Sequence, residues 1–221
     1  MFRSISWSFS VVDLDSIVNM RESITKATIW SRHDLFAILE LTIMIITYHG
    51  ENFVKVQHGD LVVAWNQNGV NQIKIGGKNP FIIDGPGEYE VSNIFVQGFG
   101  VPSSDKTPNT IFLLSFEGLR FVHLGAIGEA KIPESVSAGV GEVDVLFAPL
   151  GGPKPLSPAA VYQLALAFQS KVIIPLTESE TIRRQFLKEA GAEGVKPIDK
   201  LVLKKKDILE KEGEVVVLTT V

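Results

Sequence analysis

The sequence predicts an α/β sandwich of αββα type, in which two β-sheets pack face to face with helices on the outside. Three observations predict it. From residue 44 to residue 124, short β-branched runs follow one another between Gly, Asn and Asp turns, the pattern of an antiparallel meander. From residue 143 onward, nearly continuous apolar strands alternate with helical segments, which calls for strands covered on both faces. The chain has 221 residues, of which 45% are hydrophobic and 21% charged. That is enough to bury a full core without staples.

The elements follow in order. Residues 1–43 form a mixed tract with weak helical periodicity in Ile17, Met20, Ile24 and Ala27, and an apolar run begins at Leu35. The texture changes at Met44, which has the position of an initiator. Residues 1–43 are therefore set apart as an extension to a domain spanning 44–221; a packed N-terminal helix pair is the alternative reading. The first strands are MIITYH, NFVKVQ and LVVAW, separated by Gly50-Glu51 and His58-Gly59-Asp60. In the second, Phe53, Lys55 and Gln57 share one face and Val54 and Val56 the other, as in a half-buried strand. PFIID, EYEV, NIFVQGF, TIFLLSF and LRFVHL continue the series, the last two joined as a hairpin at Glu117-Gly118. VDVLFAPL is a fully buried strand. Ser157-Pro158 then opens a helix, with Ser as N-cap and Pro at its first position, and Val161, Leu164, Ala165 and Phe168 as its core stripe. KVIIPL is a strand, SETIRRQFLKEAG a helix with an acidic first turn and a Gly stop, and EVVVLTT the last strand.

Composition narrows the function classes. The absence of cysteine excludes disulfides, thiolate zinc sites and thiol nucleophiles. A net charge of −4 and a pI near 5.6 give no general basic field for nucleic acid. Lys204-Lys205-Lys206 is followed by Asp207 and Glu210 and lacks interleaved aromatics, so it reads as a solvated face. Leu35 to Tyr48 is interrupted by Glu40 and too short to cross a bilayer. The N-terminus has no signal-peptide pattern. The expectation is a cytoplasmic protein with neither membrane nor nucleic acid as partner; the sequence is compatible with a homo-oligomer and names no other partner.

Four motifs in this order carry a resemblance: ITYHGENFVKV at 46–56, IDGPGEYEV at 83–91, RFVHLGAIG at 120–128, and VDVLFAPLGG at 143–152 followed by KVIIPLT at 171–177. Together they resemble the metallo-β-lactamase superfamily, particularly its ascorbate-lactonase-like branch of Zn-dependent hydrolases, over about Met44 to Val221. The resemblance implies a rim where strand ends converge, with an HxHxDH loop, a later His, a bridging Asp and a final His holding one or two metal ions. Imidazole and carboxylate donors suit zinc or manganese, which acidify a bound water. This sequence departs from that plan position by position. After Trp65 there is no histidine or carboxylate before Asp84. The strand-end HLGD of the family is His123-Leu124-Gly125-Ala126 here, and its IPMH is Ile174-Pro175-Leu176-Thr177. No metal ligand transfers.

Some polar residues keep a functional reading beside a plainer one. Glu88 and Glu90 share a strand face, and paired carboxylates suit cation binding or acid–base work; a tight Gly85-Pro86-Gly87 turn accounts for most of that motif. His123 ends a strand and is a candidate general base, or a buried imidazole bonded to backbone. Glu88, Glu90 and His123 are the catalytic candidates. Gly85, Gly87, His49, Gly151 and Gly152 are the ligand-binding candidates, the last two because a Gly-rich loop after a buried strand can receive an anion. The expected function is a metallo-β-lactamase-fold protein lacking the standard metal ligands: non-catalytic, or a binding module, with no cofactor. The alternative is a metal-dependent hydrolase of a small ester, lactone or phosphorylated metabolite, using zinc or manganese at a non-standard site.

Overall fold

A computed structural model describes residues 43–66, 72–76, 78–101, 109–125, 127–128, 132–151 and 156–221. The expected extension falls almost wholly on residues 1–42, outside the described residues. Two sheets are formed. The first has the strand order β12-β1-β2-β3-β4-β5, with β1 Ile43–Tyr48, β2 Val54–His58, β3 Leu61–Trp65, β4 Ile73–Ile75, β5 Phe81–Ile83 and β12 Leu201–Lys204. Its named strands all pair antiparallel. The second has the order β13-β11-β10-β9-β8-β7-β6, with β6 Gly87–Val91, β7 Ile94–Val101, β8 Asn109–Phe116, β9 Leu119–His123, β10 Val145–Pro149, β11 Val172–Leu176 and β13 Glu214–Val215. Here β9, β10, β11 and β13 run parallel, and β6 to β9 are an antiparallel meander.

Side-chain alternation sets the layers. In β1, Met44, Ile46 and Tyr48 are buried while Ile43 is exposed. Val54 and Val56 of β2 are likewise buried and Gln57 exposed, so a one-residue slip would turn the whole apolar set outward. These residues meet Phe112, Phe121, Phe147 and Ile174 of the second sheet in one core between the sheets. The opposite face of the second sheet carries Leu113, Val122, Leu146 and Ile173, which pack against helices in a separate cluster. Those helices are α1 Glu134–Val140, α2 Pro158–Ala167 and α3 Glu180–Glu189. In α2, Ser157 accepts a hydrogen bond from Ala160 N, Pro158 opens the helix, and Val161, Leu164 and Ala165 are buried. Ser179 caps α3 in the same way.

Four elements lie beyond the sequence expectations: β4, β12, α1 and α4, Lys205–Ile208. The short α4 follows β12, so the lysine run belongs to folded elements, with the Lys205 ammonium over Gly118. The expected strand EVVVLTT is divided. Glu214 and Val215 pair with β11; Val217 O then accepts from Ile198 N, and Val221 N donates to Tyr48 O. The segment thus passes from the second sheet to the first, which is why only its start is a ladder.

Candidate functional site

Parallel β9, β10 and β11 point the same way, so their last residues share one end of the sandwich, and the ends of β1 and β3 meet them there. The tie is direct: His123 of β9 lies 3.1 Å from the carbonyl of Asn52, just past β1, and 3.4 Å from the carboxamide of Asn66, just past β3. This end is the rim where the sequence expectations place a site.

His123 occupies its centre and is fully buried. Its ring lies against Phe147, with centroids 6.1 Å apart. Gly125 N donates to Nδ1 at 3.0 Å, so Nδ1 carries no proton and Nε2 does. Nε2–H then donates to Asn52 O at 3.1 Å, and the side-chain nitrogen of Asn66, 3.4 Å from the same atom, cannot donate to it. The surroundings thereby fix both tautomer and ring plane. Burial pushes the imidazole down to about 4, opposed in part by the Asn52 carbonyl. It is a neutral, internally bonded side chain with no lone pair for a metal or a substrate proton.

The neighbouring positions are committed in the same manner. Thr177, after β11, is buried, and its Oγ1 accepts from Ser179 N at 3.2 Å. A Cβ on Gly125 would stand 2.7 Å from Asn109 Oδ1 and 2.9 Å from Thr110 O, and its φ is +64°, so backbone packs against backbone there. Ala126 and Gly152 lie outside the described residues, as do 67–71 of the loop after β3. Gly151 closes β10 at the rim, with nothing within 4 Å of a Cβ placed on it.

His49, after β1, is also at the rim. Its Nε2 is 3.0 Å from Thr47 Oγ1 and its ring stacks on Phe53 at 4.8 Å. Burial, then the Lys55 ammonium, lower its pKa, opposed by a hydrogen bond with the Val221 backbone. The Glu178 carboxylate lies over Gly50, 3.0 Å from where a Cβ would be. Beside it the Tyr48 hydroxyl donates to Glu51 O at 2.7 Å. Burial, then the Glu178 and Glu51 carboxylates, hold that phenol well above its usual range.

Glu88 and Glu90 are placed elsewhere. Both are exposed on β6, the edge strand, and the register Gly87↔Gly98, Gly98↔Phe112, Phe112↔His123 sets β6 three strands from β9. At about 4.8 Å per strand the separation is roughly 14 Å. Glu88 pairs with Gln97, which pairs with Leu113 on the helix-bearing face, whereas His123 faces the other sheet. The three catalytic candidates are therefore not brought together. Glu88 Oε1 accepts from Gln97 Nε2 at 2.9 Å. The Gly85-Pro86-Gly87 turn is held by Tyr89, whose hydroxyl donates to Gly85 O and Pro86 O at 3.3 Å. It lies flat on β7 because Gly98 leaves room; a Cβ there would be 2.6 Å from Gly85 O.

A zinc or manganese ion needs converging imidazole and carboxylate donors. Among the described residues, no group of three or more His, Asp or Glu side chains is arranged to hold an ion. Thr177 stands at one expected ligand position, and the donors among the described residues do not fit the family's metal centre; Ala126 lies outside those residues. Among the described residues, no helix is long and apolar enough to cross a membrane. Sequence reading missed Asn66 and the Asn52 carbonyl, whose roles come from position just past a strand end and leave no motif.

Comparison with known proteins agrees with this architecture. Residues 45–177 match the family described as Beta-lactamase superfamily domain. A search of curated proteins gave no match. Among solved structures, the chain is similar to a Zn-dependent hydrolase of the metallo-β-lactamase superfamily from Thermotoga maritima, with 22% identity and TM-score 0.64, covering 80% of this chain and 100% of that one. A metal-dependent hydrolase from Parabacteroides distasonis gives 12% identity and TM-score 0.53, covering 79% and 92%. Igni18, a metallo hydrolase from Ignicoccus hospitalis, gives 11% and 0.52, covering 74% and 99%. At such identities these structures bear on the fold alone.

Proposed function

This chain belongs to the metallo-β-lactamase superfamily, and we propose that within it the chain is a non-hydrolytic member that uses the scaffold for binding. The observation that carries this reading is the state of His123: fully buried, with both ring nitrogens engaged by backbone groups. A rim that still bound metal would keep lone pairs directed at a common point. Here the imidazole serves to join three strand ends, Thr177 serves the turn before α3, and Ala126 has no donor atom. The cytoplasm is the location we assign to it.

The alternative, a metal-dependent hydrolase of a small ester, lactone or phosphorylated metabolite, would draw on Glu88, Glu90 and His123. Their separation and opposite faces weigh against it. The test is a hydrolase panel of esters, lactones and phosphoesters, run with and without added zinc or manganese. The expected outcome is no metal-stimulated turnover above buffer. Turnover that is stimulated by metal and lost in both Glu88→Ala and His123→Ala would replace this reading with the alternative.

A further inference from the structure

Among the described residues the two sheets end in four edge strands, β12 and β5 in the first and β13 and β6 in the second. A free edge presents unpaired backbone groups to another strand, and charged side chains on it discourage such pairing. β12 ends in Lys204, β13 begins with Glu214, and β6 carries Glu88 and Glu90. β5, Phe81–Ile83, carries no charge, and its Phe81 and Ile82 are 48% and 51% exposed. We propose that β5 is a pairing edge whose partner is β5 of a second copy of this chain, running antiparallel about a twofold axis. The inference does not depend on the reading of the rim.

Backbone direction supports the pairing. Groups along an antiparallel strand turn alternately to its two sides. Asn66 N donates to Gln72 O and Gly76 N to Val62 O, so Gln72, Lys74 and Gly76 turn to β3. Ile73 and Ile75 turn to β5, opposite Ile83 and Phe81. The N–H and C=O of Ile82 therefore point to the open side, and alternation aims the Pro80 carbonyl the same way. Charge chooses the occupant and the register. Lys78 and Asp84, both exposed and without an ion-pair partner among the described residues, stand at equal distances in the chain on either side of Phe81. With Phe81 opposite Phe81 of the second copy, each Lys78 faces the other copy's Asp84, a match that the twofold makes twice. Each Ile82 N–H then reaches the other copy's Pro80 carbonyl, so the proline, which has no N–H to give, fits the pairing. The two Phe81 rings meet at a position without hydrogen bonds, where opposed side chains come closest. They would cover the margin of the core that Ile83 enters.

The test is sedimentation equilibrium of the full chain from micromolar to millimolar concentration, with amide hydrogen exchange followed by NMR over the same range. A monomer–dimer equilibrium is expected, together with slower exchange of the Ile82 amide as concentration rises. Lys78→Asp sets like charges against each other twice and should weaken dimerisation about fivefold or more. Lys78→Asp combined with Asp84→Lys should restore it, and Ile82→Lys should abolish it. The proposal is overturned by a chain that stays monomeric at millimolar concentration, or by a dimer whose Ile82 amide exchanges as in the monomer. It is equally overturned if Lys78→Asp leaves the dimer unchanged, or if the charge-swapped chain associates as weakly as the single variant.

Discussion

His123 is fully buried at the rim, with both ring nitrogens engaged by backbone groups. Its folded pKa of about 4 lies below the ordinary 6.5, so the folded state resists protonation while the unfolded chain accepts it. The stabilisation is present above pH 6.5 and is lost as pH falls toward 4. That interval corresponds to at most about 3 kcal/mol. Urea unfolding of the wild-type chain and His123→Gln across pH 4–7 should show a pH-dependent loss in the wild type that is much reduced in the variant. Parallel curves would mean that His123 is not neutral in the fold. Sequence reading named this residue, and also named a buried imidazole bonded to backbone as one of its two roles. It could not decide between them, because burial here depends on Asn52 and Asn66, which come from strands distant in the chain.

Among the elements, the turn at Gly85-Pro86-Gly87 shows which glycine matters. Gly85 has nothing within 4 Å of a Cβ placed on it, whereas a Cβ on Gly98 would meet the Gly85 carbonyl at 2.6 Å. Gly98→Ala is expected to lower stability by about 2 kcal/mol or more, and Gly85→Ala by less than about 0.5 kcal/mol. Equal denaturation midpoints for the two variants would contradict the packing of the turn on β7. The motif itself was legible; its partner was not, since Gly98 stands within an ordinary strand. The same limit hid β4, β12 and α1. Ile73–Ile75 is three residues long, Leu201–Lys204 ends in lysines that read as a surface patch, and α1 lacks a side-chain cap. Each is defined by long-range pairing or packing more than by local pattern. By contrast, β8 and β10 were legible because both their faces are buried, and α2 because its cap, proline and core stripe agree.

For the whole molecule, the sandwich is held by one core between the sheets and another beneath the helices, and the residues after β13 join the two sheets by hydrogen bonds to Ile198 and Tyr48. At the rim, the described residues His123 and Thr177 are held by protein hydrogen bonds. The order of strand-end motifs made the architecture legible from sequence. What sequence could not give was the open edge at β5, because edge or interior position depends on pairings across the whole sheet. The central claim, a family scaffold without the family's metal centre, is tested most directly by elemental analysis of the purified chain after growth in zinc- and manganese-supplemented medium. The account predicts substoichiometric traces of both metals, removed by a chelator without change in thermal midpoint; stoichiometric zinc or manganese whose removal lowers that midpoint would contradict it.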